Sequence, residues 1–375
     1  MKRYPFLNLE TINQRYNCAI KDAINRVIDS GIYIGGEEVE TFEKNISDIC
    51  NTPHCIGVSN GLDAIRLIIR GYIELGIMSP GDEIIVPADT FIASALAITE
   101  NGLKPIFVDP NIDTYNINSN TLEASITPRT KAIMPVHLYG RISWDEQLAH
   151  IVKKYNLKVI EDNAQAIGAT SIVKGLYGTY NAGSLGDAAA ISFYPTKNIG
   201  AMGDAGAIVT HDSELAKVVS SLRNYGSNQQ YNYIYAGVNC RLDPIQAAII
   251  NVKVPFINEE NKYRQSIADI YEKEIHNEAI IKPLKRINNE VVWHQYVIRT
   301  NNREKFRKYL LDNGVETSIH YPVPLHKQPC YSQFHHLNLP IAEQIGNEVV
   351  SLPITRCTSF QDAYEIASII NNYQQ

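Results

Sequence analysis

Short apolar runs alternate with helix-length amphipathic segments along the first two thirds of the chain, and this alternation limits the possible folds most strongly. Strands that alternate with helices predict an α/β fold, with a mostly parallel central sheet and helices on both faces. Ligands of such sheets bind at the carboxyl ends of the strands. The predicted strands are residues 54–59, 83–88, 104–109, 131–140, 157–162, 188–195 and 206–212.

The pattern changes near residue 255, where the segment 254–275 is typical of one long connecting helix. Strands and helices are mixed beyond it, and the last predicted helix covers residues 363–375. We therefore predict a large domain over residues 1–255 and a smaller C-terminal α+β domain over residues 256–375. A chain of 375 residues, 45% hydrophobic, is long enough for both cores.

Composition excludes several classes of function. The formal net charge is −6 and Lys and Arg form no cluster, so no nucleic acid partner is expected. No run of 18 apolar residues occurs and the start lacks a signal-type apolar stretch, so we expect no membrane partner and a cytoplasmic location. The six cysteines are scattered without CxxC spacing, which predicts reduced thiols and no metal site.

Lys197 lies in the segment AISFYPTKNIGAMGDAGAIVT, directly after a predicted strand. A lysine in a loop is most often a solvated charge. Here Ser192 offers a hydroxyl suited to phosphate, and Gly200, Gly203 and Gly206 let the backbone approach a ligand closely. A lysine that forms a Schiff base must lose its proton near neutral pH, and burial achieves this.

The segment LKVIEDNAQAIGA ends a predicted strand with Glu161 and Asp162. Acids at this position often only cap the next helix. Alternatively, a carboxylate opposite a pyridine nitrogen keeps that nitrogen protonated, so that the ring accepts the electrons of a carbanion. Asp162 is the candidate for this role, Gln165 the candidate partner of the ring's phenolic oxygen, and Glu161 is interpreted as structural.

Two further strand-to-helix turns carry candidate ligand contacts. In SNGLDAI, Gly61 and Leu62 open a helix whose free N–H groups can bind phosphate, although many such turns bind nothing. In VPADTFIASALAI, Phe91 stands where an aromatic face could stack on a flat ring, although a phenylalanine is more often part of the core.

Five motifs in this order, SNGLDAI, EDNAQAIGA, SFYPTKNIGAMGDAGAIVT, NCRLDPIQAAI and HYPVPLHKQP, resemble the DegT/DnrJ/EryC1/StrS sugar aminotransferases. The resemblance implies a fold-type-I transferase that depends on pyridoxal phosphate. It implies Lys197 as the Schiff-base lysine, with Asp162 at the pyridine nitrogen and Gln165 at the phenolic oxygen. Phe91 is implied to stack on the ring.

The same resemblance implies phosphate contacts from Gly61, Leu62 and Ser192, and from Asn239 of a neighbouring subunit, so the active unit is expected to be a homodimer. His320 and Tyr321 match a segment near the sugar nucleotide, and Arg241 matches another substrate position. Cys240 departs from the family, which often has serine there.

Within the family, the sequence SFYPTKN followed by GDAGA is similar to the enzymes that act at carbon 3 of the sugar. The resemblance implies transfer of an amino group from L-glutamate to a dTDP-linked 3-oxo-6-deoxyhexose, for amino sugars of surface polysaccharides or glycosides. The alternatives are a carbon-4 or UDP-sugar aminotransferase, a sugar dehydratase in which histidine replaces the lysine, and a non-catalytic regulator or scaffold. The sugar epimer stays open.

Overall fold

The computed structural model describes residues 2–172, 179–285 and 290–374. Its first nine strands include the seven that were predicted, and the other two, β6 and β7, pair with each other. The bounds are β1 His54–Val58, β2 Glu83–Pro87, β3 Lys104–Val108, β4 Thr130–Ile133, β5 Lys158–Asp162, β6 Thr170–Ile172, β7 Thr179–Asn181, β8 Ala188–Ser192 and β9 Gly206–Thr210.

The central sheet has seven strands in the order β1-β9-β8-β5-β4-β2-β3. The pairs between β8, β5, β4, β2 and β3 are parallel, whereas β9 runs antiparallel to both of its neighbours. Six strands therefore share one direction and only β9 is reversed. This mostly parallel sheet confirms the predicted α/β class and places the carboxyl ends of β1, β2, β5 and β8 at one edge.

Helices cover the sheet, and most follow a strand directly, as the alternation predicted. Helix α4 shows why: the Asn60 side chain caps its first turn by accepting from the Asp63 N–H at 2.8 Å, and its apolar face is buried in the largest core cluster. The bounds up to residue 253 are α1 Leu9–Gln14, α2 Asn17–Ser30, α3 Glu37–Cys50, α4 Gly61–Glu74, α5 Ala93–Glu100, α6 Ser119–Leu122, α7 Glu146–Tyr155, α8 Ser213–Leu222 and α9 Pro244–Lys253.

Two predicted strands were too long. The run 131–140 forms a strand only over Thr130–Ile133, and residues Leu138–Gly140 make a short 3₁₀ turn in which Tyr139 has φ 58°. Pro135 has no N–H for the ladder, so the apolar run cannot continue as a central strand. The run 188–195 likewise ends as a strand at Ser192.

The C-terminal part has its own core, in which Tyr271, Tyr296, Phe306 and Ile366 are buried together. Tyr4 from the N-terminal segment packs into this core, and its N–H donates to the Gly314 carbonyl at 2.8 Å. The remaining elements are strands β10 Ser227–Gln229, β11 Asn232–Tyr233, β12 Tyr296–Arg299 and β13 Val349–Leu352, and helices α10 Ile257–Glu274, α11 Arg303–Asp312, α12 Pro340–Glu348 and α13 Phe360–Asn371.

The predicted division between residues 255 and 256 falls in the short 3₁₀ turn Val254–Phe256, which joins α9 to α10. It stays a proposal, and the packing of Tyr4 shows that the N-terminal segment belongs to the smaller core. Within the three described ranges, no helix combines the length and the apolarity that a bilayer crossing requires.

Candidate active site

The predicted site residues come from four segments that meet at the carboxyl edge of the sheet. Asp162 is the last residue of β5 and Ser192 the last of β8. Gly61 opens α4 just after β1, and Phe91 follows β2. Because these four strands run in the same direction, their carboxyl ends share one edge, where ligands of α/β sheets bind.

Lys197 lies in the loop between β8 and β9, five residues beyond the strand end. The loop is closed by two backbone bonds of 2.8 Å, from the Lys197 N–H to the Tyr194 carbonyl and from the Ala201 N–H to the Phe193 carbonyl. Burial lowers the pKa of Lys197 from 10.5 to about 8, although the nearby Asp162 carboxylate favours the charged form. About a tenth of the amine is therefore neutral at pH 7 and about half at pH 8, which makes a nucleophilic form available.

Asp162 is 6% exposed, and both of its carboxylate oxygens accept hydrogen bonds. Oδ2 accepts from the Ser94 hydroxyl at 2.7 Å, and Oδ1 accepts from the Ala164 N–H at 3.2 Å. The Ser94 hydroxyl is in turn 3.1 Å from the Thr90 hydroxyl. Asp162 is thus a buried carboxylate whose orientation is fixed by Ser94 in the first turn of α5 and by the backbone that follows β5.

The first turn of α4 lies against Ser192. A Cβ built on Gly61 would come within 2.8 Å of the Ser192 Cβ, so only glycine fits between them. The first N–H groups of a helix have no partner inside the helix, and those of Gly61 and Leu62 precede the capped Asp63 N–H. Backbone donors and a hydroxyl therefore converge as in an anion site.

Gln165 and Phe91 both contact Tyr321 of the C-terminal part. The Gln165 Oε1 accepts from the Tyr139 N–H at 2.7 Å, and its Nε2 donates to the Tyr321 hydroxyl at 3.4 Å. The Phe91 ring centroid is 5.7 Å from that of Tyr321. Phe91 is 53% exposed, so it is no core residue and its ring is open to a ligand.

His320 and Tyr321 bring the C-terminal part to the site. His320 Nδ1 is 2.8 Å from the Ser351 hydroxyl, and the His320 carbonyl accepts from the Tyr139 hydroxyl. Burial, assisted by the charge of Lys197, lowers the pKa of His320 to about 4. Burial, assisted by the charge of Asp162, raises the pKa of Tyr321. Near neutral pH the site therefore holds a neutral imidazole and a neutral phenol.

Arg241 and Asn239 lie on the outer side of β1. Arg241 forms a bridge with Val58, and its guanidinium donates to the Asn224 side chain at 2.9 Å. Asn239 forms a bridge with Asn224 and is exposed. The structure holds one chain, so the predicted contact from a neighbouring subunit stays a prediction, as does substrate binding by Arg241.

Further residues, which the sequence motifs did not indicate, hold the predicted ones in place. Thr90 and Ser94 support Asp162, and their spacing of four residues at a helix start is a signal that could have indicated them. Asn198 and His294 are 3.1 Å apart beside Lys197. No local pattern links these two, because His294 comes from a distant segment of the chain.

The model of the DegT/DnrJ/EryC1/StrS aminotransferase family matches residues 15–371. The chain belongs to this family. This aminotransferase is 49% identical over 369 residues to the dTDP-3-amino-3,6-dideoxy-alpha-D-galactopyranose transaminase of Aneurinibacillus thermoaerophilus, an alignment that covers 98% of this chain and 99% of the relative. The family resemblance found in the motifs is thereby confirmed.

Solved structures of similar proteins confirm the fold. S. venezuelae DesV, in complex with a ketimine intermediate, matches with a TM-score of 0.92 and 38% identity, covering 99% of this chain and 98% of DesV. NtdA from Bacillus subtilis, solved with the bound cofactor PMP, matches with a TM-score of 0.87 and 32% identity, covering 99% of this chain and 86% of NtdA.

Pyridoxal phosphate is the cofactor of this aminotransferase, and the residues at the sheet edge fit it. The group needs an amine that loses its proton readily near neutral pH, a carboxylate for its ring nitrogen and donors for its phosphate. Lys197 has the lowered pKa, and Asp162 is buried with a fixed orientation. The first N–H groups of α4 lie beside Ser192, and this close approach is possible because residue 61 is a glycine.

Proposed function

We propose that the enzyme transfers an amino group from L-glutamate to the C3 keto group of a dTDP-linked 3-oxo-6-deoxyhexose, in the synthesis of amino sugars for surface polysaccharide or glycosides. The observation that supports the reaction type best is the arrangement of Lys197 and Asp162. A lysine with a pKa of about 8 lies within electrostatic reach of a carboxylate that is buried at the same sheet edge. An aminotransferase needs this pair of groups.

The proposed residue roles follow from these positions. When bound, pyridoxal phosphate supplies a carbon that condenses with amines and a ring that stores an electron pair. Asp162 holds a proton at the ring nitrogen. Lys197 Nζ holds the cofactor and, once displaced by a substrate amine, removes a proton from the α-carbon of glutamate. In the second half of the cycle the same Nζ delivers a proton to the sugar carbon.

The other site residues bind and orient. Gly61, Leu62 and Ser192 are proposed to hold the phosphate at the α4 N-terminus, with Asn239 of a second subunit. The proposed partner of the phenolic oxygen is Gln165, and Phe91 is proposed to stack on the ring through its open face. Proposed contacts to the sugar nucleotide come from His320, Tyr321 and Arg241.

The choice of carbon 3 and of dTDP is supported by the relative that is 49% identical over nearly the whole of both chains, since its name specifies a dTDP-3-amino sugar. The choice of L-glutamate comes from the family resemblance. The carbon-4 and UDP-sugar alternatives differ from the proposal only in the acceptor. The dehydratase alternative is disfavoured because position 197 holds lysine, where that branch has histidine.

The acceptor is tested by incubating the enzyme loaded with pyridoxal phosphate with L-glutamate and one keto sugar at a time. Both epimers of dTDP-3-oxo-6-deoxyhexose, a 4-oxo isomer and a UDP-linked analogue form a matched set. We expect a dTDP-3-amino sugar, with one 2-oxoglutarate formed per amino group transferred. Amination of the 4-oxo or UDP compound alone would contradict the proposed acceptor, and failure of every sugar to accept nitrogen would contradict the proposed activity.

A homodimer is also proposed, and exposed apolar side chains support it. Three consecutive residues, Ile32, Tyr33 and Ile34, are each more than half exposed, and Tyr231 is 81% exposed in the segment that precedes Asn239. Large apolar side chains gathered at the surface are typical of protein interfaces. The predicted cytoplasmic location remains a prediction.

A further inference from the structure

Asn198 follows Lys197 directly, and its side chain connects the lysine loop to two other elements. Its Nδ2 donates to the Asn261 side-chain oxygen on α10 at 2.8 Å and to the Val292 carbonyl at 3.2 Å. Its Oδ1 lies 3.1 Å from His294 Nδ1. The residue next to the reactive amine is therefore held by side chain and backbone from α10 and from the segment that leads into β12.

The orientation of each group in this network is determined by carbonyl oxygens, which only accept. Asn261 Nδ2 donates to the Ile167 carbonyl at 3.1 Å, so the Asn261 oxygen is free to accept from Asn198. Asn198 uses both of its amide hydrogens on Asn261 and Val292, so its Oδ1 is the acceptor toward His294. His294 Nδ1 must then carry the hydrogen.

His294 is therefore the neutral tautomer with its hydrogen on Nδ1. Its side chain is buried, at 5% exposure, and its pKa lies well below the ordinary value because of burial and then the charge of Lys197. Among the described residues, Nε2 has no hydrogen-bond partner, so the Nδ1 bond to Asn198 is the polar contact that the ring makes. The ring's contribution is thus a single well-defined donor.

We infer that His294 is a positioning residue for Lys197, acting through its Nδ1–H donor bond to Asn198. Two residues beyond Asn198, the Gly200 carbonyl accepts from the Lys253 ammonium at 2.5 Å, so the stretch that follows Lys197 has two anchors. Loss of the His294 donor leaves the Asn198 side chain held by its Nδ2 bonds to Asn261 and Val292, so that Asn198 and the adjoining amine can shift. A misplacement of about 1 Å in a reacting group can cost about 100-fold in rate.

Three substitutions separate the donor from the rest of the ring. Asparagine places an amide nitrogen where His294 Nδ1 stands, glutamine places one near the Nε2 position, and leucine offers none. In the enzyme loaded with pyridoxal phosphate, we expect H294L and H294Q to slow the glutamate half-reaction by about 10- to 100-fold, read from the loss of visible absorbance. We expect H294N to keep most of the rate, and KM for glutamate to change little in any variant.

The inference rests on the proposed role of Lys197, which borohydride reduction of the loaded wild-type enzyme and peptide mapping test separately. With that role established, equal rates in H294N and H294L would overturn the donor function, and so would wild-type rates in H294L. If H294Q alone among the three variants kept the wild-type rate, the function would belong to Nε2, and the proposed role of the Nδ1–H donor would be wrong. Because H294L and N198A break the same bond, their effects should be far from additive, whereas independent effects would contradict the proposed connection.

Discussion

At the scale of single residues, Asp162 shows how a short polar side chain acquires a role from its surroundings. It is buried and fixed by Ser94 and Ala164, so its carboxylate points in one direction without needing a charged partner. Asparagine has nearly the same shape but cannot hold a proton at a ring nitrogen. We expect D162N to fold and bind pyridoxal phosphate, with turnover reduced by about 100- to 1000-fold.

Turnover and the thermal midpoint of D162N test this together. A near-normal rate would contradict the proposed role, and loss of folding would favour the capping interpretation that the sequence left open. The sequence could predict the candidate carboxylate, but it could not predict the Ser94 contact, because that contact depends on how α5 packs against β5.

Lys197 gives a pH prediction whose direction follows from burial. A pKa lowered from 10.5 to about 8 means that half of the amine is neutral at about pH 8 and nearly all of it about two pH units higher. The rate at which the enzyme without cofactor captures pyridoxal phosphate should therefore rise about tenfold per pH unit below 8 and then level off. Stopped-flow absorbance measures this, and a rate that continues to rise to pH 10.5 would show a solvated lysine.

At the scale of an element, strand β5 places neighbouring acids on opposite faces. Side chains of a strand alternate, so Glu161 points away from Asp162. Glu161 is fully buried and accepts from the N–H groups of Gly183, Leu185 and Gly186 at 2.7 to 2.9 Å and from His137 at 2.8 Å. These contacts support the structural interpretation of Glu161 and identify the loop that it holds.

We expect E161Q to lower the free energy of unfolding by about 3 kcal/mol. The NH₂ group of glutamine would face buried backbone N–H groups, which need an acceptor, so at least one of them would lose its hydrogen bond. D162N is the matched control one residue away and should leave stability largely unchanged. Denaturant unfolding of both variants measures the difference. Equal stability losses would contradict the division between a structural and a catalytic acid.

Strands and helices were predicted well where the apolar residues recur with one clear period. They were predicted poorly where a proline or a backbone turn ends the element. The alternation gave all seven strands of the central sheet, and the family resemblance is confirmed. The segment 131–140 was predicted as one strand because apolar residues continue beyond Pro135. The bond from the Asp162 N–H to the Pro135 carbonyl and the turn at Tyr139 are tertiary features that periodicity does not reveal.

At the scale of the whole molecule, the site depends on segments that are far apart in sequence. Tyr321 and His294 come from beyond the long helix α10, and local patterns do not indicate that they reach Gln165 and Asn198. The motifs could indicate Gly61, Phe91, Asp162 and Ser192 as residues of the sheet edge, because each lies at or just after the end of a strand. The family resemblance indicated His320 and Tyr321, but the contacts of Tyr321 with Gln165 and Phe91 could not be predicted, because they depend on tertiary packing.

If the active unit is a dimer with Asn239 shared between subunits, inactive variants should complement each other. Neither K197A nor N239A alone should be fully active, yet a reassorted mixture contains hybrids with one intact site. Random pairing makes about half of the dimers hybrids with one good site of two, so the mixture should gain about a quarter of wild-type activity beyond that of its N239A homodimers. Absence of recovery, or a monomer by light scattering, would contradict the shared site.

The central claim is that Lys197 is the amine that binds the cofactor, and Lys253 provides an internal comparison. The pKa of Lys253 is also lowered by burial to about 8, but its ammonium is held by Asn13 and the Gly200 carbonyl. The most direct test is borohydride reduction of the enzyme loaded with pyridoxal phosphate, followed by peptide mass mapping. We predict that the stable adduct lies on Lys197 alone. An adduct on Lys253 or another lysine, or none at all, would contradict the account.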